Sequence, residues 1–111
     1  MRILALDSTA VAASVALCDG EKLLVNYTIN PGQREAFLQK VAAIRPQILA
    51  EEGCVQYEYC PSASDENKII LVEQWDSREA QKVHLDQPHM AGIYAAEKEH
   101  VANVNLEFYD F

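Results

Sequence analysis

The side chains best suited to chemistry in this sequence are two histidines five residues apart, His84 and His89, with Pro88 between them. An imidazole has an unperturbed pKa close to neutrality, so either ring suits a general base. Glu73 is the third candidate, because it shares a strand face with Leu71 and Trp75. If that face is inward, Glu73 is a buried carboxylate that must be paired, hydrogen-bonded or protonated, which is how active-site acids are often made. Trp75, Tyr57 and Tyr94 can wall an aromatic pocket and offer hydrogen bonds to a ligand oxygen, and core packing accounts for Trp75 equally well. Tyr59 falls on the same face as Tyr57.

Other chemistries have no fingerprint here. The His84 to His89 spacing misses the i,i+4 step that puts two imidazoles on one helical face, so no metal site is expected. Cys18, Cys54 and Cys60 contain no CxxC pair and cannot all pair with one another, which reads as buried or idle thiols. The glycines form neither GxGxxG nor a P-loop, so no flavin, nicotinamide or ATP cofactor is expected. With 9 Lys+Arg against 17 Asp+Glu and a net charge of -8, the chain is a poor partner for nucleic acid. Its longest apolar runs are far short of a membrane span and no signal-peptide pattern opens it, so a cytoplasmic location is expected.

The elements that must position these residues can be read from period and punctuation. The 111 residues suffice for one domain. Ile3 to Leu6 and Ala13 to Leu17 read as strands, and Asp19-Gly20 is a hairpin turn signal before Leu23, Val25, Tyr27 and Ile29, which alternate as in a third strand. Phe37, Val41, Ile44 and Ile48 then follow helical spacing, with Pro46 expected to kink or break the helix near Arg45. After the stop at Gly53, Val55, Tyr57 and Tyr59 alternate in a strand that a loop at 61–67 joins to the strand of Ile69 to Trp75.

Asp76 or Ser77 can cap the next helix, with Glu79 placed for a capping box to Asp76, and that helix carries Ala80, Val83 and His84. A second helical piece presents Met90, Ile93, Tyr94 and Val101, and Val104, Leu106 and Phe108 close the chain in a strand. From Leu23 the order is β-α-β-β-α-β. The fold class is therefore α+β and ferredoxin-like, an antiparallel sheet with two helical segments on one face, plus an N-terminal β-hairpin.

Residues from about 22 to 111 resemble the antibiotic biosynthesis monooxygenase family, which includes quinol monooxygenases. The resemblance rests on Pro31-Gly32-Gln33-Arg34-Glu35-Ala36-Phe37-Leu38, Glu51-Glu52-Gly53-Cys54, Leu71 to Ser77, and His84-Leu85-Asp86-Gln87-Pro88-His89-Met90, in family order. It implies a cofactor-independent oxidation of a quinol or phenol by O2. The same resemblance implies a homodimer of the dimeric α/β-barrel type, with sheets face to face and the strand Asn103 to Tyr109 reaching across. Some relatives bind haem; their ligand histidine has no match here, and Tyr94 is the nearest counterpart.

Residues 1 to about 30 resemble instead the opening of the bacterial TsaB family, actin-like partners in making threonylcarbamoyladenosine on tRNA. Met1 to Thr9, Ala13 to Gly20 and Val25 to Asn30 carry this likeness, which breaks off at Pro31. It implies a chimera in which a TsaB-like strand at about 22–30 supplies the first strand of the 31–111 domain. Asp7, Ser8 and Thr9 correspond to the phosphate turn of actin-like ATPases, but the rest of that site is missing, so no nucleotide binding is expected. The competing expectation for function is a chimeric scaffold without catalysis.

Overall fold

A computed structural model describes residues 3–8 and 21–110. In chain order the elements are β1 (Ile3–Ser8), β2 (Glu21–Ile29), α1 (Arg34–Leu49), β3 (Cys54–Pro61), β4 (Lys68–Trp75), α2 (Arg78–Leu85), α3 (Met90–His100) and β5 (Val101–Asp110). The strands form one antiparallel sheet in the order β1-β5-β2-β4-β3. From β2 onward this is the expected ferredoxin-like βαββαβ unit, with the helices on one face. The expected strand Ala13 to Leu17, the Asp19-Gly20 turn, Thr9 and Cys18 lie outside the described residues.

Alternation in β2 works as expected. Leu23, Val25, Tyr27 and Ile29 are buried, and Ile69, Leu71, Glu73 and Trp75 of β4 and Val104 and Leu106 of β5 join them. Phe37, Val41 and Ile48 of α1 and Met90, Ile93 and Ala96 of α3 cover that face. Gly92 lets the two helices approach closely, because a Cβ there would lie 2.5 Å from Ile44 Cδ1. The opposite face, with Asn26, Ile70, Val72, Gln74 and Asn105, has no helix over it and is part-exposed or exposed.

Several local expectations are corrected. The helix does not break at Pro46: α1 runs unbroken to Leu49. Proline removes only the bond to Ala42 there, and with one turn remaining its own carbonyl still accepts from Ala50 N–H at 3.2 Å. Val55 does not share the face of Tyr57, because the register slips between Cys54 and Gln56 and leaves Val55 59% exposed. The cap of α2 is Ser77, whose hydroxyl accepts from Ala80 N–H at 3.1 Å, so the Asp76–Glu79 capping box does not form. Val83 points outward, and Gln81 takes its place beside His84 on the buried side of α2.

β1 joins the outer edge of β5, pairing Ile3 with Tyr109 through Ser8 with Val104. Strand β5 is therefore paired on both edges within its own chain. Adding a strand to an open edge is a stable fate for a segment that would be marginal as an isolated ribbon. No helix of the described residues is long and apolar enough to cross a membrane.

Candidate active site

Glu73 does face inward. It is 6% exposed and accepts a hydrogen bond from Trp75 Nε1–H at 3.0 Å, a pairing that strand geometry provides because residues two apart point the same way. Burial raises the Glu73 carboxyl to about 7; the indole N–H opposes this, and the carboxylates of Glu97 and Glu51 add to it.

His84 sits on the buried side of α2, 1% exposed, with its ring 4.5 Å from that of Trp75 at 33° and 5.5 Å from that of Tyr57. Its Nε2 lies 3.9 Å from Glu73 Oε1, and its Nδ1 is 3.0 Å from Glu51 Oε2. A carboxylate at Nδ1 fixes the tautomer: Nδ1–H donates to Glu51, leaving the Nε2 lone pair on the Glu73 side. Burial lowers the His84 pKa, a shift that favours the neutral ring; the Glu51 hydrogen bond acts against that shift.

The turn after α1 delivers Glu51. Gly53 holds φ +85, and a Cβ there would meet Ala80 Cβ and Asp76 Oδ1, each at 2.5 Å, so only glycine lets this turn close against α2. Its carbonyl accepts from Asp76 N–H at 2.8 Å. The same Glu51 Oε2 is 2.8 Å from His89 Nε2. His89 lies just before α3, next to Pro88, and it lines a surface groove of about 600 Å³ with Gln47, Asp76, Glu79 and Gln87.

Inside, a small cavity lies between the sheet and helices α2 and α3, bounded among others by Tyr57, Glu73, Gln81, His84, Met90 and Glu97. Its free volume of about 20 Å³ admits one water. Glu97 is hydrogen-bonded by Tyr27 O–H, and burial raises its carboxyl to about 7. One oxygen of Glu97 and the side-chain oxygen of Gln81 are buried without a protein partner, so the cavity is short of hydrogen-bond donors.

Of the expected site residues, Glu73, His84 and Tyr57 meet at this cavity, and Trp75 backs His84. Two are placed differently. His89 is outside, on the groove, because Pro88 ends α2 and restarts the chain in a new direction. Tyr94 does not border the cavity: its hydroxyl donates to Leu85 O at 2.7 Å and ties α3 to the end of α2. No group of three His, Cys, Asp or Glu residues suited to a metal ion occurs among the described residues.

Glu51, Gln81 and Glu97 were not anticipated. Glu97 carried a readable signal, since Met90, Ile93, Glu97 and His100 fall at steps of three, four and three on one helical stripe. Glu51 had none, because a paired Glu51-Glu52 before a glycine looks like a solvated turn.

A ferredoxin-like sheet whose helical face buries a carboxylate against an imidazole and an indole defines a small α+β domain with an internal polar site. The chain belongs to the antibiotic biosynthesis monooxygenase family, whose model matches residues 22–96, from the start of β2 into α3. It is 34% identical over 96 residues to YgiN of Escherichia coli, named a probable quinol monooxygenase, covering 76% of this chain and 90% of that protein. It is 32% identical over 71 residues to YcnE of Bacillus subtilis, covering 64% and 75%. Among solved structures, a Pseudomonas aeruginosa protein superposes with TM-score 0.76 at 23% identity, covering 87% of this chain and 98% of that one. A conserved protein from Methanosarcina mazei superposes at 0.74 and 16%, covering 81% and 90%. These two share the fold.

Proposed function

We propose that the protein is a monooxygenase that oxidises a quinol or related phenol with O2 and needs no cofactor. The observation that carries this reading is the buried His84 ring, with Nδ1 3.0 Å from Glu51 and Nε2 3.9 Å from Glu73, beside buried oxygens of Gln81 and Glu97 that have no protein partner. A quinol supplies the missing donors with its two hydroxyls, whereas the oxidised quinone has only acceptors.

In this reading His84 Nε2 takes the proton of one hydroxyl, and the electron-rich phenolate gives an electron to O2. Recombination of the radical pair forms a carbon–oxygen bond, and the distal peroxide oxygen takes up a proton. Loss of the proton from that ring carbon with cleavage of the O–O bond expels water and leaves a carbonyl, which tautomerises to the hydroxyquinone. One oxygen atom enters the product, the other leaves as water, and the substrate supplies all the electrons. Glu73 orients the substrate hydroxyl beside His84, Tyr57 and Trp75 supply the aromatic wall, and burial limits water at the reacting carbon. The cavity has room for about one water, so the ring enters by displacing Met90, whose unbranched side chain is the adaptable part of the lining. A homodimer packing the uncovered sheet faces together would bury Val72 and Ile70.

The test is O2 uptake by the metal-free protein with a panel of quinols, beside His84→Ala and His89→Ala. Saturable uptake lost in His84→Ala supports the reading. No uptake above buffer from folded protein contradicts it, and favours a chimeric scaffold with a TsaB-like start and no catalysis.

A further inference from the structure

The cavity at His84 has a free volume of about 20 Å³, far too small for an aromatic ring, so a ring that reaches it must move part of the wall. The walls differ in how readily they move. On the sheet side lie Leu23, Val25, Leu71 and Val104, on strands β2, β4 and β5, each hydrogen-bonded along both edges. On the α3 side Ile93 is 1% exposed, and Gly92 sits so close to Ile44 that a Cβ would meet it at 2.5 Å, which fixes α3 against α1. The end of α2 is tied at Leu85 O, which accepts from Tyr94 O–H at 2.7 Å. Between these anchors runs the corner 86–90, whose backbone N–H groups bond to Val83, His84 and Gln87, within α2 and the corner itself.

Two neighbours in this corner face opposite ways. Met90, 2% exposed, lines the inner cavity, and His89 lines the outer groove. His89 is held down by a side-chain bond, its Nε2–H donating to Glu51 Oε2 at 2.8 Å. Both partners line the groove, so water there can take over each one's hydrogen bond when they separate. Glu51 also accepts from His84 Nδ1–H at 3.0 Å, and that bond does not depend on His89.

We propose that residues 86–90 form a gate between the groove and the cavity, with the His89–Glu51 bond as its latch and Met90 as its plug. The proposal rests on the reading that an aromatic substrate occupies the cavity at His84. When the latch parts, the corner swings toward the groove about its anchors at Leu85 and Gly92, and Met90 leaves the cavity with its neighbour His89. A ring then passes from the groove to His84. The latch closes behind it, with the flexible Met90 side chain refolded along the ring. His89 is thus a positioning residue, which governs passage and touches no substrate.

The test uses Trp75, the single tryptophan of the chain, whose ring lies 4.5 Å from that of His84. Quenching of its fluorescence by hydroquinone under argon is followed by stopped flow in wild type, His89→Ala and His89→Gln, and backbone amide exchange is read in the same proteins. The alanine variant has no latch, whereas the glutamine amide can still donate to Glu51. The gate predicts that entry and exit of hydroquinone both speed up about tenfold in His89→Ala, as for loss of one hydrogen bond to a charged group, with Kd nearly unchanged. Amides of 86–91 should exchange faster while those of β2 and β4 do not, and His89→Gln should behave as wild type. Entry no faster in His89→Ala than in wild type overturns the proposal. Slower entry with weaker binding also overturns it, being the mark of a damaged site. A Trp75 signal that hydroquinone never changes saturably overturns the gate together with the reading of the cavity as a substrate site. Saturable, latch-dependent entry in a protein that consumes no O2 when air is admitted keeps the gate and contradicts only the oxidation.

Discussion

Trp75 donates its indole N–H to Glu73 Oε1 at 3.0 Å, from two residues further along the same strand face. The bond favours the carboxylate of a group that burial pushes toward the neutral acid. Trp75→Phe keeps an aromatic ring against His84 and removes the donor, together with one ring's volume from the core. A hydrogen bond to a charged group is worth roughly 1.5–3 kcal/mol, and one pKa unit is about 1.4 kcal/mol. Glu73 should therefore titrate roughly one to two units higher in the variant, as read by carbon NMR of the carboxyl. An unchanged titration would mean that the indole does not tune this acid.

Stability should fall as the pH rises toward neutrality. Glu73 and Glu97 are each raised from 4.5 to about 7. Between those values the folded state holds protons that the unfolded chain has released. The stabilisation is thus complete below about 4.5, declines through this window and levels off above about 7. His84 acts in the opposite sense, since its lowered pKa removes stability as the pH falls below 6.5. Replacing Glu97 by Gln deletes one of the two carboxylate contributions. Urea melts at pH 5 and pH 8 should differ less in Glu97→Gln than in wild type, by about 2 kcal/mol, given about 1.4 kcal/mol per pKa unit. An identical difference in the two proteins would show that Glu97 is not buried as an acid.

Gly53→Ala should harm both stability and the site. The backbone is in the left-handed region, and the added methyl meets Ala80 and Asp76. Left-handed strain and overpacking together cost about 3 kcal/mol, measured as a lowered denaturation midpoint. Because the same turn presents Glu51 to both histidines, kcat should drop even at temperatures where the variant stays folded. Full activity in a destabilised variant would separate the turn from the site.

The parts of this molecule that were legible in its sequence are those governed by short periods. Alternation from Leu23 to Ile29 and from Ile69 to Trp75 marked the faces of these strands and put Glu73 on one face with Leu71 and Trp75, leaving its inward turn conditional on that face being the covered one. The helical spacing of Phe37, Val41 and Ile48 placed α1. Where one residue breaks a period, the reading failed: the slip beside Val55 exposes a residue that alternation would bury, and Gln81 rather than Val83 faces inward. Pro46 was over-read, because a proline near a helix end costs one hydrogen bond and not the helix. The site itself was half legible. His84, Glu73, Tyr57 and Trp75 come from neighbouring strands and the helix that follows them. Glu51 reaches them only through a tertiary contact between the α1–β3 turn and α2, which no local pattern announces.

The most direct measurement of the central claim is the fate of labelled dioxygen. Wild-type protein supplied with a quinol and 18O2 should place one labelled atom in a hydroxyquinone product and the other in water, with His84→Ala losing this activity while staying folded. Product formed by the wild type with no label from O2, or label incorporated equally by His84→Ala, would contradict the account.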